Sequence, residues 1–107
     1  MSESLTHAGE IWLWTSAEGK GSWHFLTLDG AAGEAIAAHE AMRRLELGRG
    51  RGFGSVRVEA RIGASRWTTS VFPSASAGGY ILPIKAAIRR AEGLAAGDRA
   101  EVVLTLS

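Results

Sequence analysis

The chain has no cysteine. That excludes a disulfide scaffold, a thiolate metal site and a cysteine nucleophile. It has no apolar run near the roughly 20 residues that a membrane helix needs. Its first residues, Met1-Ser2-Glu3-Ser4, lack the basic start and apolar stretch of a signal peptide, so the expected address is cytoplasmic with no membrane partner. Charge of one sign does not dominate: the formal net charge is +1, and no strong overall field draws the protein to nucleic acid or anionic lipid. Metal-ligand spacing is missing around His7, His24 and His39, and so are a phosphate loop, a dinucleotide fingerprint and paired carboxylates. Ser70 has no glycine elbow and no recognisable base. These absences predict no cofactor, no metal and no catalytic centre.

What remains is a chain of 107 residues, 46% apolar, long enough for one domain and one core. Glu10–Trp14 reads as a strand, with Ile11 and Leu13 on one side and Trp12 and Trp14 on the other. Glu18–Gly21 is a hairpin turn. In the returning strand Ser22–Leu28, Trp23, Phe25 and Thr27 oppose His24, Leu26 and Leu28. Ala31–Leu47 is helical, with Ala35, Ala38, Met42 and Leu45 as its expected buried stripe. Strict alternation makes Ser55–Gly63 the clearest strand, Val56, Val58, Ala60 and Ile62 facing in. Arg66–Phe72 pairs back, and Pro73 is expected to end its ladder. Tyr80–Leu82 is a short strand. Pro83 suits the first position of a second helix striped by Ile84, Ala87, Ile88 and Ala91, and Gly93 caps it. Ala100–Leu106 is the last strand, and residues 1–8 read as a frayed terminus.

Six one-sided strands and two short helices predict a mainly β fold, a small closed or partly open double-split barrel, because closure covers every apolar face and removes the edges. Trp23–Ile62 and Tyr80–Leu106 repeat one order: strand, helix, glycine turn, strand.

The segment Gly79-Tyr80-Ile81-Leu82-Pro83-Ile84-Lys85, with Ile88-Arg89, Gly93-Leu94 and Gly97-Asp98, resembles the swapped-hairpin module of AbrB-type transition-state regulators. A wider pattern runs through Gly9–Trp12, Trp23–Phe25, Arg51–Val56, Ile62-Gly63, Trp67–Pro73 and Tyr80–Pro83. It resembles a family of small bacterial and archaeal domains of unknown function with a double-split β-barrel. That resemblance covers nearly the whole chain and implies the fold. It implies no catalytic residues, and the AbrB side implies DNA binding only by fold analogy.

Three groups are candidate sites. Between Arg43 and Arg66, seven arginines stand against two acids, a local +5. There Arg49 and Arg51, among glycines, form a candidate anion-binding nest or else a solvated connection. Arg51–Val58 resembles an aromatic RNA-binding signature, but Ser55 and Val58 stand where it needs rings. Ser70, Tyr80, Lys85 and Arg89 form a candidate grip for a carboxylate or phosphate, since Lys85 and Arg89 share one helix face. Their bland alternative is a solvated helix face. Trp12, Trp14, Trp23 and Trp67 could stack bases or a flat ligand, against the alternative that they fill the core, and Trp12, Trp14 and Trp67 are candidates for an aromatic contact surface. The leading expectation is a non-enzymatic binding module for a small anionic ligand or a protein partner. A DNA-binding protein of AbrB type is second, and a small hydrolase-like enzyme third.

Overall fold

A computed structural model describes residues 3–47 and 54–106. Arg49 and Arg51, the centre of the expected anion nest, lie outside the described residues. Six strands and two helices follow one another as β1 (Glu3–Thr15), β2 (Ser22–Leu28), α1 (Gly30–Leu47), β3 (Val56–Ile62), β4 (Ser65–Ser74), β5 (Gly79–Pro83), α2 (Ala86–Glu92) and β6 (Arg99–Leu106). The strands close into a barrel in the order β1-β2-β5-β4-β3-β6, and every pairing is antiparallel. The mainly β barrel expected from the alternation is therefore the fold.

Period-two patterning produces this interior directly. Val56, Val58, Ala60 and Ile62 on β3, and Val102, Leu104 and Leu106 on β6, are buried, while Arg57, Glu59 and Arg61 between them are exposed. Ile11, Leu26, Leu28, Val71 and Leu82 fill the rest of the lumen. Each such side chain contributes about 1.5–3 kcal/mol on full burial. Each of the six described strands has two paired neighbours, so none stands at an edge along its whole length.

Four local expectations are corrected. Residues 3–8 are not frayed: Glu3 to Ala8 pair with Leu106 to Glu101 of β6. Pro73 does not end β4. It sits opposite Tyr80, a place where its missing N–H leaves room for the strand to run on to Ser74. Pro83 does not open α2 but closes β5, opposite Phe25, and the helix begins at Ala86 after Lys85 in extended conformation. The buried face of α1 is Ala32, Gly33 and Ile36, whereas Met42 and Leu45 are exposed. Only the first half of α1 lies over the barrel, so the helical period continues past the surface that would bury it. Likewise Leu13 shares a face with Ile11 yet is 49% exposed. At that point the β1–β2 hairpin has run beyond Pro83, the last residue of β5.

Exchanging β1 with β4, β2 with β5 and β3 with β6 leaves every neighbour in the barrel order unchanged. Each half is a hairpin, a helix and a strand, one strand more than the strand–helix–strand order read from the sequence. The long strands β1 and β4 both divide their loyalty. The front of β1 pairs with β6 and its end with β2; the front of β4 pairs with β3 and its end with β5. Two seams result, where β1 leaves β2 and where β4 leaves β5.

Candidate functional site

Leu28 and Ile84 are matching positions, each buried and each two residues before a helix. Their backbones also match: Leu28 pairs with Tyr80, and the Ile84 N–H donates to the His24 carbonyl at 2.9 Å. The residues around them differ. At the first seam stand Gly9, Gly33 and Gly79. A Cβ on Gly33 would lie 2.7 Å from the Leu28 carbonyl oxygen, one on Gly79 would strike the same oxygen, and one on Gly9 would lie 3.2 Å from Leu26. The absence of side chains lets α1, β2 and β5 close on one another, backbone to backbone.

At the second seam the matching positions carry Thr69, Arg89 and Trp23, and there the surface opens. A hollow of about 320 Å³ is lined by Trp23, His24, Trp67, Thr69, Ile84, Lys85 and Arg89, among others. Lys85 and Arg89 reach it from the start and the first turn of α2. Arg89 is steered by a hydrogen bond from its Nε to the Ile84 carbonyl, 3.2 Å. Among the described residues, the salt bridges use His7, Arg44 and Arg66 but neither Lys85 nor Arg89. Burial, and secondarily the Arg89 guanidinium, hold the His24 imidazole below its ordinary value of 6.5.

Next to it, on the outward face of β1, β2, β5 and the end of β4, lies a second hollow of about 670 Å³. It is lined by Trp12, Trp14, Trp23, Phe25, Phe72, Ile81 and Pro83 with Thr69, Ser74 and Ser76. Strand register builds it: Trp12 lies opposite Phe25, Trp14 opposite Trp23, and Ile81 opposite both Thr27 and Phe72. Trp12 and Phe25 rings pack 5.1 Å apart at 39°, and the Trp12 indole N–H donates to Thr27 Oγ1 at 2.8 Å. That pair is fixed. Trp14, Trp23 and Phe72 are 45%, 55% and 43% exposed. Trp23, Thr69 and Pro83 line both hollows, so the two adjoin. Neither is lined by a carboxylate.

The structure brings together some of the residues singled out in the sequence and separates others. Lys85 and Arg89 share a hollow, and Trp12 and Trp14 share a face. Trp67 does not join that face: it points into the barrel, 7% exposed, and floors the basic hollow. Ser70 is on β4 opposite Arg57, outside both hollows. Tyr80 is buried and faces the cleft under α1, with Glu40, Arg44 and Pro73. Its burial and then Glu40 push the phenol above its ordinary value, against the pull of Arg44. Trp23, read with the other tryptophans as a possible stacking ring, lines both hollows, and Phe25, Phe72 and His24, which were not singled out, stand beside it. Alternation already placed Trp23 and Phe25 opposite Leu26 and Leu28, and that signal was sufficient to find them.

Among the described residues no three His, Asp or Glu stand close enough to hold a metal ion, and no helix is long and apolar enough to cross a membrane. No curated protein matches the sequence. Residues 8–104 match a family described as a domain of unknown function, DUF1905, and with nearly the whole chain covered, the protein belongs to that family.

Proposed function

We propose that this protein is a binding module for an anionic ligand, held by Lys85 and Arg89 in the hollow at the second seam. The observation that carries the reading is the pair of cations, without carboxylate partners, on one concave wall. Charge-assisted hydrogen bonds from a lysine and an arginine are strong in such a partly desolvated place, and the arginine fork matches a carboxylate or phosphate. The closed first seam supports the same reading. The fold does not require an opening there, since glycines shut its counterpart. Binding rather than turnover is the function proposed, because the two cations on this wall recognise charge.

The test is a thermal-shift series with inorganic phosphate, acetate, pyrophosphate and a short duplex DNA. A ligand at ten times its Kd stabilises the native state by about 1.4 kcal/mol, worth roughly 5–10 °C in Tm for a domain of this size. Small anions are expected to raise Tm in the wild type and not in the Lys85→Gln, Arg89→Gln double variant. No shift with any anion, or equal shifts in both proteins, rejects the site. A shift with duplex DNA alone, falling steeply as salt rises, replaces it with phosphate-backbone binding of the AbrB kind.

A further inference from the structure

The basic hollow is not isolated, and its neighbour narrows what the ligand can be. Resting on the anion-binding reading, we infer that the ligand is a single small molecule with a flat aromatic body and one acidic group. Its ring lies on Trp14, Trp23 and Phe72, and its carboxylate or phosphate reaches Lys85 and Arg89.

Four observations carry this. The two hollows share Trp23, Thr69 and Pro83, so they adjoin and one ligand can touch both. The aromatic hollow, about 670 Å³, lies within the roughly 300–1,000 Å³ range of small-molecule sites. Its floor is pre-formed, because the Trp12–Phe25 contact and the Trp12–Thr27 hydrogen bond anchor the inner rings. The outer rings are left with free faces, which suit stacking on a planar group. Finally, charge is confined to one end. Trp23 lines the basic hollow together with Lys85, and the aromatic lining beyond it holds no ionisable residue. A single-stranded nucleic acid needs cations tracking each phosphate along the strand. Here there is a cationic terminus and an uncharged aromatic floor, which fits one acidic group per ligand.

The experiment titrates the whole chain with 2-naphthoate and 2-naphthyl phosphate. Acetate and inorganic phosphate report the acid group alone, 2-naphthylmethanol the ring alone, and a thymidine octamer the polymer. Calorimetry and the quenching of tryptophan emission are the readouts. The naphthyl anions are expected to bind about tenfold or more tighter than their small counterparts, the order that aromatic stacking supplies. The better of the two acids identifies the headgroup as carboxylate or phosphate. Trp14→Ser and Phe72→Ser, at positions 45% and 43% exposed and checked for a wild-type far-UV spectrum, are expected to remove that advantage and leave inorganic phosphate binding unchanged. Lys85→Gln is expected to weaken the naphthyl anions and not 2-naphthylmethanol. If naphthyl and small anions bind equally, the aromatic half of the inference is wrong and the anion site stands. If no anion binds at all, the anion-binding reading falls with it. Equal affinity for 2-naphthoate and 2-naphthylmethanol means that the face is only greasy and overturns the inference. Octamer binding far above that of 2-naphthyl phosphate, with a steep salt dependence, overturns it in favour of a strand. A chain already dimeric through this face, with emission unmoved by any naphthyl compound, overturns it in favour of self-association.

Discussion

The two seams of the barrel are built on the same topology and have opposite fates. In one, glycines at 9, 33 and 79 let α1 press against the backbone of Leu28. In the other, Thr69, Arg89 and Trp23 occupy the matching positions around Ile84, and a charged hollow remains. The difference teaches that in a two-fold barrel closure is a local decision. A side chain of zero size brings backbones into contact, and a long one presents its own chemistry.

The strongest way to break this comparison is to put a side chain into the closed seam. Gly79→Ala places a Cβ against the Leu28 carbonyl, and Gly33→Ala places one 2.7 Å from it. A backbone oxygen cannot rotate away. Alanine gains about 1 kcal/mol over glycine inside a helix, yet the overlap at Gly33 is expected to exceed that gain. Each variant is expected to lose about 2–4 kcal/mol in urea unfolding, a range reached only by overpacking or comparable defects. Stability equal to wild type would show that α1 floats over the barrel and that the first seam is not shut by contact.

A smaller effect sharpens the open side. Thr27→Val removes the acceptor of the Trp12 indole N–H and is expected to cost about 1 kcal/mol. Red-shifted tryptophan emission should accompany it, as the floor of the aromatic face loosens. At the open seam itself, Thr69→Gly is expected to cost less than Gly79→Ala, since no backbone is in the way.

His24 offers a titration. Its folded pKa is depressed by burial and then by Arg89, so the unfolded chain binds its proton first as pH falls. The stability it contributes is whole above 6.5 and is lost as pH drops through the folded value. The difference in stability between pH 7.5 and pH 5 is expected to shrink in His24→Gln. Anion binding should run the other way. A bound acid group favours the imidazolium, so affinity for phosphate, at constant ligand charge, is expected to rise toward pH 5 in wild type and not in His24→Gln. The smallest effect is on the outside of β3. Arg57→Ala is expected to change stability by no more than about 0.5 kcal/mol, whereas Val58→Asp, one residue along, should prevent folding because it buries an unpaired charge.

The legible part of the molecule was the part governed by alternation. The register of β3 and β6 follows from Val56–Ile62 and Val102–Leu106, because one-residue slippage would turn every apolar side chain to water. The cations of α2 followed from helical spacing, and the outward aromatics of β1 and β2 from the same parity rule that buried Ile11 and Leu26. Harder positions were those where the pattern outlasts the structure it serves. Met42 and Leu45 keep the helical period of α1 without a surface beneath them, and Leu13 keeps the inward phase of β1 beyond the barrel rim. Pro73 and Pro83 were read by their local preference, which the pairing of β4 and β5 overrode at sites where no amide hydrogen is needed.

The chain by itself therefore determined which side of each strand is greasy, how many strands there are, and that they must curl shut to cover their inner faces; these depend on neighbours two to four residues away. Only the tertiary structure decided that Lys85 and Arg89 share a wall with Trp23, that Trp67 turns inward and Tyr80 lies under the other helix, and that Gly79 touches Leu28. Such meetings are set by which strand β1 and β4 abandon along their length, a property of the closed barrel and of no single segment.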